Sequence, residues 1–378
     1  MRVLPRAALA LLLLLWIGLP AVSQESEWDV PIAEKILDAK PGVALEIELP
    51  ADGARVQPVR ITVPDGTSKL FVHVQEATAD VDLWLVREKA KTMDAVIESA
   101  AYESATGLMN ERLHVTEGLR KGVWYLYAAC LSAAEDEEVS FKLLVTFNEA
   151  PALPALPALP FKPIEQLKPL ERAVMACVML NTDEGGGTGT VVTPTGLILT
   201  NRHVLELEEG HASRVYVSFS RDARSQPVQS HIAVVVEQNE KLDLALLRIT
   251  EDINGNVVEK PQFTWLPIAN EVPELGDRLR CLGYPAIGNS PSIGSITLTS
   301  GVVSGFSTRK GNLEWIKTDC LISAGNSGGM AINDRHELAG VPTESMHDPD
   351  THEAMGYVRP VGSIPKPWQE RVTKDLPK

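Results

Sequence analysis

The heptapeptide Ser323-Ala-Gly-Asn-Ser327-Gly-Gly329 sets a serine between glycines on both sides. Glycine opens backbone conformations closed to other residues and lets a ligand approach main-chain N–H groups. A serine on such a loop is a candidate nucleophile with oxyanion donors beside it. A nucleophilic serine needs a base and a group to orient that base. His203, in Asn201-Arg-His203-Val-Leu, follows an apolar run and a turn, and no other histidine of the chain has a comparable setting. Asp243, in Lys241-Leu-Asp243-Leu-Ala-Leu-Leu, reads as part of an alternating strand whose face continues through Ala245 and Leu247. A carboxylate on that face is partly buried and needs a partner, since an unpaired buried charge costs several kcal/mol. The partner this sequence offers is a histidine N–H. The order is His203, Asp243, Ser327: base, orienting acid and nucleophile.

Each of these residues requires an element to hold it. Val174–Leu180 reads as an apolar strand. Gly185 to Thr190 leads through Val191–Thr193, a Pro-Thr-Gly196 turn and Leu197–Thr200, which together read as a hairpin ending at His203. Asn201 reads as the N-cap of a short helical turn carrying His203. Towards the N-terminus, Val43–Leu49, Val56–Val63, Leu70–Gln75, Val81–Val86, Gly122–Ala128 and Val139–Phe147 are short alternating runs rich in Val, Ile and aromatics. They predict a β-sandwich, interrupted by a polar, helical insert between Glu88 and Thr106. Asp80, Asp82 and Glu111 within it read as a solvated acidic face rather than a calcium site. Proline recurs every third residue from Pro151 to Pro160, a polyproline II spacer between two domains. Residues 1–23 combine Arg2 and Arg6, an apolar run and Ala21-Val-Ser23, the pattern of a secretory signal peptide. The expected order is signal peptide 1–23, sandwich 24–149, linker 150–160 and a catalytic domain 161–378.

Two resemblances follow. Asp80-Val-Asp82-Leu-Trp-Leu85, Asn110-Glu111 and Gly122-Val-Trp-Tyr125 resemble the pre-peptidase C-terminal (PPC) domain family, which implies an accessory β-sandwich. Residues 185–205, Asp243–Ile249, Leu282-Gly-Tyr-Pro285, Leu298–Val303 and Lys317 to Gly329 resemble the trypsin-like protease domain of the HtrA/Deg family. That resemblance implies an all-β chain: the sandwich followed by a double six-stranded β-barrel protease domain with its active site between the barrels. It implies a serine endopeptidase using His203, Asp243 and Ser327, with the N–H groups of Gly325 and Ser327 as oxyanion hole. It places Leu321 and Ile322 at the base of the primary specificity pocket and Gly356 and Tyr357 on a wall. Thr343 to Ser345 match the strand that pairs with substrate backbone. No acidic residue stands among these, so a small or medium apolar residue is the expected cleavage site. Asn326 replaces the aspartate of digestive relatives, so activation by a newly cut N-terminus is not expected; ordering of the loops around Gly283–Ser292 and Ser323–Gly325 is. Too little chain follows Ile364 for a PDZ domain.

The formal charge of −15 argues against nucleic-acid and anionic-membrane partners, both of which would repel the chain. No stretch after the leader is long and apolar enough for stable membrane insertion. Polypeptide substrates are the expected partners, in the periplasm or outside the cell; oligomeric state stays open. Cys130, Cys177, Cys281 and Cys320 have no zinc-site spacing, and neither metal nor cofactor is expected. Either one disulfide joins the two halves or at least two thiols stay free. The alternative function is a non-catalytic, protease-like peptide-binding protein.

Overall fold

The computed structural model describes residues 30–51, 53–106, 110–131, 138–152, 159–207, 210–285, 296–347 and 354–377. The expected signal peptide, the middle of the proline run and most of the Gly283–Ser292 loop lie outside the described residues. The chain separates into two compact units, Met1–Ala152 and Leu153–Lys378.

The strands of the first unit are β1 (Leu37–Asp38), β2 (Leu45–Leu49), β3 (Val56–Val63), β4 (Leu70–Gln75), β5 (Asp82–Val86), β6 (Tyr102–Ser104), β7 (Arg112–Val115), β8 (Gly122–Ala129) and β9 (Val139–Phe147). They form one sheet in the order β1-β3-β8-β5-β6 and another in the order β2-β9-β4-β7. Period-two alternation puts Val59, Ile61, Leu83, Leu85 and Leu126 of one sheet against Ile47, Val72, Phe141 and Leu143 of the other. The polar insert forms helix α1 (Met93–Ser99), capped by the Thr92 side chain and packed through Met93 and Val96 on Trp84 and Tyr127 of the outer sheet face.

The acidic cluster is a correction to the reading of a solvated face. Glu111 is 1% exposed. Its carboxylate accepts hydrogen bonds from the Ser104 hydroxyl, the Thr106 N–H and hydroxyl and the Arg112 N–H. Burial, with the charges of Asp80 and Glu111, pushes Asp82 up to about 8. The strand pattern had no means of showing this, because the loop before β7 brings the third carboxylate in from another strand.

In the second unit, helix α2 (Pro169–Ala176) precedes β10 (Cys177–Asn181). The apolar run from Val174 is therefore divided. Pro169 at the first helical position and the Glu171 carboxylate on the Lys168 N–H start a helix that takes its first three residues. The first barrel is closed by β10, β11 (Gly186–Val191), β12 (Leu197–Thr200), β13 (Arg214–Phe219), β14 (Val228–Asn239) and β15 (Leu244–Asp252), in the order β10-β11-β12-β15-β14-β13. The second is closed by β16 (Arg278–Gly283), β17 (Thr297–Arg309), β18 (Asn312–Thr318), β19 (Met330–Ile332), β20 (Leu338–His347) and β21 (Ala354–Pro360), in the order β16-β17-β18-β21-β20-β19.

Alternation along the strands serves two cores at once. Ile198, Ala245 and Leu247 fill the first barrel, while their neighbours Leu197, Leu199, Leu244 and Leu246 face outward. The outward residues meet Leu282, Met330, Ile332 and Val341 of the second barrel in a shared core. Helix α3 (Lys366–Asp375) closes that core with Trp368 and Val372. It follows the second barrel in sequence but is fastened to the first. The Trp368 indole N–H donates to Glu237, Arg371 pairs with Glu237, and Asp375 pairs with Arg248 and accepts from Thr195. All four cysteines are buried thiols; Cys281 and Cys320 share the core of the second barrel, where the Cys320 thiol donates to the Leu279 carbonyl.

Two outcomes are expected. Trp368→Ala removes the wedge of the shared core and lowers stability by about 3–5 kcal/mol in denaturant unfolding. For Asp82 the folded-state pKa lies above the unfolded one, so its contribution to stability is complete in acid and is lost as pH rises through about 8. Chemical denaturation between pH 6.5 and pH 9 should show wild type losing stability more steeply than Asp82→Asn.

Candidate active site

Strand β12 ends at Thr200, and the chain turns into a 3-10 segment, His203–Leu205. The main-chain N–H of His203 donates to Asp243 Oδ1 at 3.0 Å, and ring Nδ1 contacts Asp243 Oδ2 at 2.6 Å. With Nδ1 carrying the proton toward the carboxylate, Nε2 is left as the acceptor. Asp243 is not inside the strand. It occupies the turn before β15 with φ +50°. That left-handed conformation costs about 1 kcal/mol or more, and three donors to the turn offset it. The Asn201 amide and the Arg202 N–H both donate to the Asp243 carbonyl, at 2.7 and 3.3 Å, while the His203 N–H holds the carboxylate.

Asn201 is not a helix cap. It is fully buried, and its amide also donates to Thr343 Oγ1 at 3.0 Å. The residue thus links the His203–Asp243 turn of the first barrel to β20 of the second. The Thr343 hydroxyl donates in turn to the Val341 carbonyl. Asn and Asp at a strand end usually read as caps, so the sequence carried no signal for a contact with a strand so distant in the chain.

The serine loop is shaped by positive φ at Gly325 (+87°) and Gly328 (+81°). A Cβ on Gly328 would stand 2.1 Å from Thr200 Oγ1 and 2.2 Å from the Thr188 carbonyl, so no other residue fits. Thr188 of β11 holds the loop: its hydroxyl donates to the Gly325 carbonyl at 2.6 Å and its N–H to the Ser327 carbonyl at 2.9 Å. The turn is closed by Asn326 N–H to Ser323 carbonyl and Gly329 N–H to Asn326 carbonyl. The N–H groups of Gly325 and Ser327 find no backbone acceptor among the described residues. Asn326 is 4% exposed and packs against Gly283. The Ser327 hydroxyl donates to the Thr343 carbonyl at 3.4 Å.

Residues 187–341 match the family described as trypsin-like peptidase domain. The serine endoprotease DegS of Escherichia coli strain K12 is 30% identical over 182 residues, covering 46% of this chain and 44% of that protein. The second unit has the two closed barrels of a trypsin-like peptidase domain and is similar in sequence to HtrA/Deg-type serine endoproteases. A probable periplasmic serine endoprotease, DegP-like, of Buchnera aphidicola is 26% identical over 183 residues, 47% of this chain and 34% of its own. A crystal structure of a serine endoprotease from Yersinia pestis aligns at 26% identity with 57% of this chain and 68% of that chain, at a TM-score of 0.40. The chain spans less than half the length of the two curated relatives.

In the second unit, His203 and Asp243 are in contact, and Ser327 joins them through Thr343 and Asn201 rather than by a hydrogen bond to His203 among the described residues. Ile322 is buried, with its Cδ1 against Gly356. Leu321 is 56% exposed and stands outside that contact; its carbonyl accepts from Thr299. Thr343 and Ser345 lie on β20, Ser345 in register with Gly356 of β21. Thr188 and Asn201, the two residues that splice the barrels at the site, were not among the residues singled out for function in the sequence.

The hydrogen bond to Asp243 raises the His203 imidazole above its ordinary 6.5, burial opposes it, and the charges of Asp243, Glu206 and Glu344 add to the rise. An NMR titration should place the His203 midpoint above 6.5. In Asp243→Asn, which keeps the shape and removes the charge, the midpoint should fall.

Proposed function

We propose that the chain is an exported serine endopeptidase that hydrolyses peptide bonds of unfolded or misfolded polypeptides through His203, Asp243 and Ser327. The observation that carries this reading is the pairing of His203 Nδ1 with Asp243 Oδ2 at 2.6 Å beside a serine loop whose Gly325 and Ser327 N–H groups are uncommitted to backbone acceptors. A hydrogen-bonded acid–imidazole pair exposes Nε2 as a base, and paired N–H donors receive an oxyanion.

His203 Nε2 takes the Ser327 hydroxyl proton as Oγ bonds to the peptide carbonyl carbon. Asp243 stabilises the imidazolium without taking its proton. The carbonyl oxygen, now negative, is held by the Gly325 and Ser327 N–H groups; one such donor is worth about 3 kcal/mol in comparable enzymes. The C–N bond breaks as His203 returns the proton to the leaving amine, which leaves an acyl-serine. Water, deprotonated by His203, attacks the acyl carbon. The C–Oγ bond then breaks, and Oγ regains its proton. No step calls on a metal or organic cofactor.

The contact between Ile322 and Gly356 supports a preference for small or medium apolar residues at the cleaved position. The Arg2, Arg6 and apolar leader supports export, in keeping with the periplasmic name of a relative. The PPC-like reading of the first unit rests on its sequence motifs and two-sheet fold. The rival reading, capture of peptides without hydrolysis, has the same docking edge but no turnover. Ser327→Ala should lower casein hydrolysis by at least about a thousandfold, since base and nucleophile act as a unit. Equal rates for wild type and variant would return the protein to the binding class.

A further inference from the structure

We propose that Glu344 is a specificity-determining residue that selects a lysine or arginine in the substrate residue immediately before the one whose carbonyl is cleaved. The proposal rests on the peptidase reading above and adds to it the charge of a neighbouring subsite.

The argument begins with an open sheet edge. Strand β20 pairs with β21 from Gly340 to His347, with a register shift between Pro342 and Glu344 that leaves Thr343 without an opposite number, but with β19 only at Leu338 and Gly340. From Val341 onward its other edge is without a strand among the described residues. The groups that reach that edge belong to the serine loop: Gly328 N–H donates to the Pro342 carbonyl, and the Ser327 hydroxyl to the Thr343 carbonyl. An extended peptide completes such an edge by main-chain hydrogen bonds. Every strand pairing named within the two barrels is antiparallel, and an added strand follows the same geometry.

Register then assigns the subsites. The residue under attack must lie beside Ser327, whose hydroxyl marks Thr343. In an antiparallel pair the two chains count in opposite directions. The residue before it therefore stands opposite Glu344, and the one before that opposite Ser345. Directly opposed residues point to the same face with Cβ atoms about 5 Å apart. Val341, Pro342 and Thr343 are buried, and Glu344, the first residue after the irregularity, is exposed. The charge of Glu344 also acts on the imidazole of His203.

The other charges nearby are already engaged. Glu206 pairs with Arg202 at 2.8 Å, and Asp243 holds His203. Arg359 is 4% exposed, stacks 3.5 Å from the Trp315 ring centroid and donates to the Glu314 carbonyl. It lies two residues from Tyr357, the residue opposite Glu344, and the two charges interact, but no cation forms an ion pair with Glu344 among the described residues. Glu344 is thus the exposed carboxylate with a vacancy for a cation at this edge.

Peptides that share an apolar cleavage residue and carry Lys, Ala or Glu just before it provide the test. Wild type should show kcat/KM in the order Lys, Ala, Glu, with about fivefold between Lys and Ala at low salt and less at high salt, as for exposed ion pairs. Glu344→Gln should bring the Lys-to-Glu ratio close to one, and Glu344→Lys should invert it. Equal cleavage of the three peptides by wild type, or an unchanged ratio in Glu344→Gln, overturns the proposal. If no peptide is cleaved, the peptidase reading fails separately. The affinities of the same labelled peptides for Ser327→Ala then decide: tighter binding of the Lys peptide, lost in the Ser327→Ala, Glu344→Gln double variant, supports the subsite, and equal affinities reject it.

Discussion

The Ser323–Gly329 loop of the second barrel hangs from one threonine of the first. Thr188 donates through its hydroxyl to Gly325 and through its N–H to Ser327, accepts the Tyr284 N–H on that hydroxyl, and accepts Thr200 on its carbonyl. The residue is fully buried. Buried hydrogen bonds of this kind are costly to leave unmade, at about 1–3 kcal/mol for each orphaned group. The two barrels are therefore held at a defined offset where it matters for chemistry. Asn201 repeats the device on the other side, joining the Asp243 turn to Thr343.

These polar splices work only because an apolar core fixes the barrels around them. Leucines on the outward faces of β12 and β15 meet the second barrel, and α3 crosses back to seal the seam with Trp368. Packing at this density transmits small displacements instead of absorbing them. The positive φ of Asp243 is a local strain that this surrounding order maintains.

Much of the fold was legible because strands announce themselves by alternation. The runs at Val56–Val63, Leu70–Gln75 and Val139–Phe147 became strands with those bounds, and the polar insert became a helix. Legibility failed where one run served two structures. Val174–Leu180 is apolar throughout, but the proline and glutamate ahead of it start a helix that ends only at Ala176. It failed again where a residue's role depends on a distant strand. Asp82 and Glu111 look solvated in sequence, but in the fold Glu111 is buried and Asp82 half-buried, close enough for their charges to interact.

The sequence by itself determined the chemistry available. A serine framed by glycines, a histidine after a hairpin and an aspartate within an alternating apolar run are local facts, and local spacing is enough to state them. It also determined that Asn326, not an acid, precedes the serine. Tertiary structure alone decided the partners. It moved Asn201 from a presumed cap to a bridge between barrels and set Asp243 in a strained turn instead of a strand. It turned Leu321 outward while burying Ile322, and left the edge at Thr343 to Ser345 open beside Ser327 with Glu344 on its exposed face. Hydrogen bonding and burial depend on which surfaces meet, and those surfaces are set by residues more than a hundred positions apart, which no local pattern encodes.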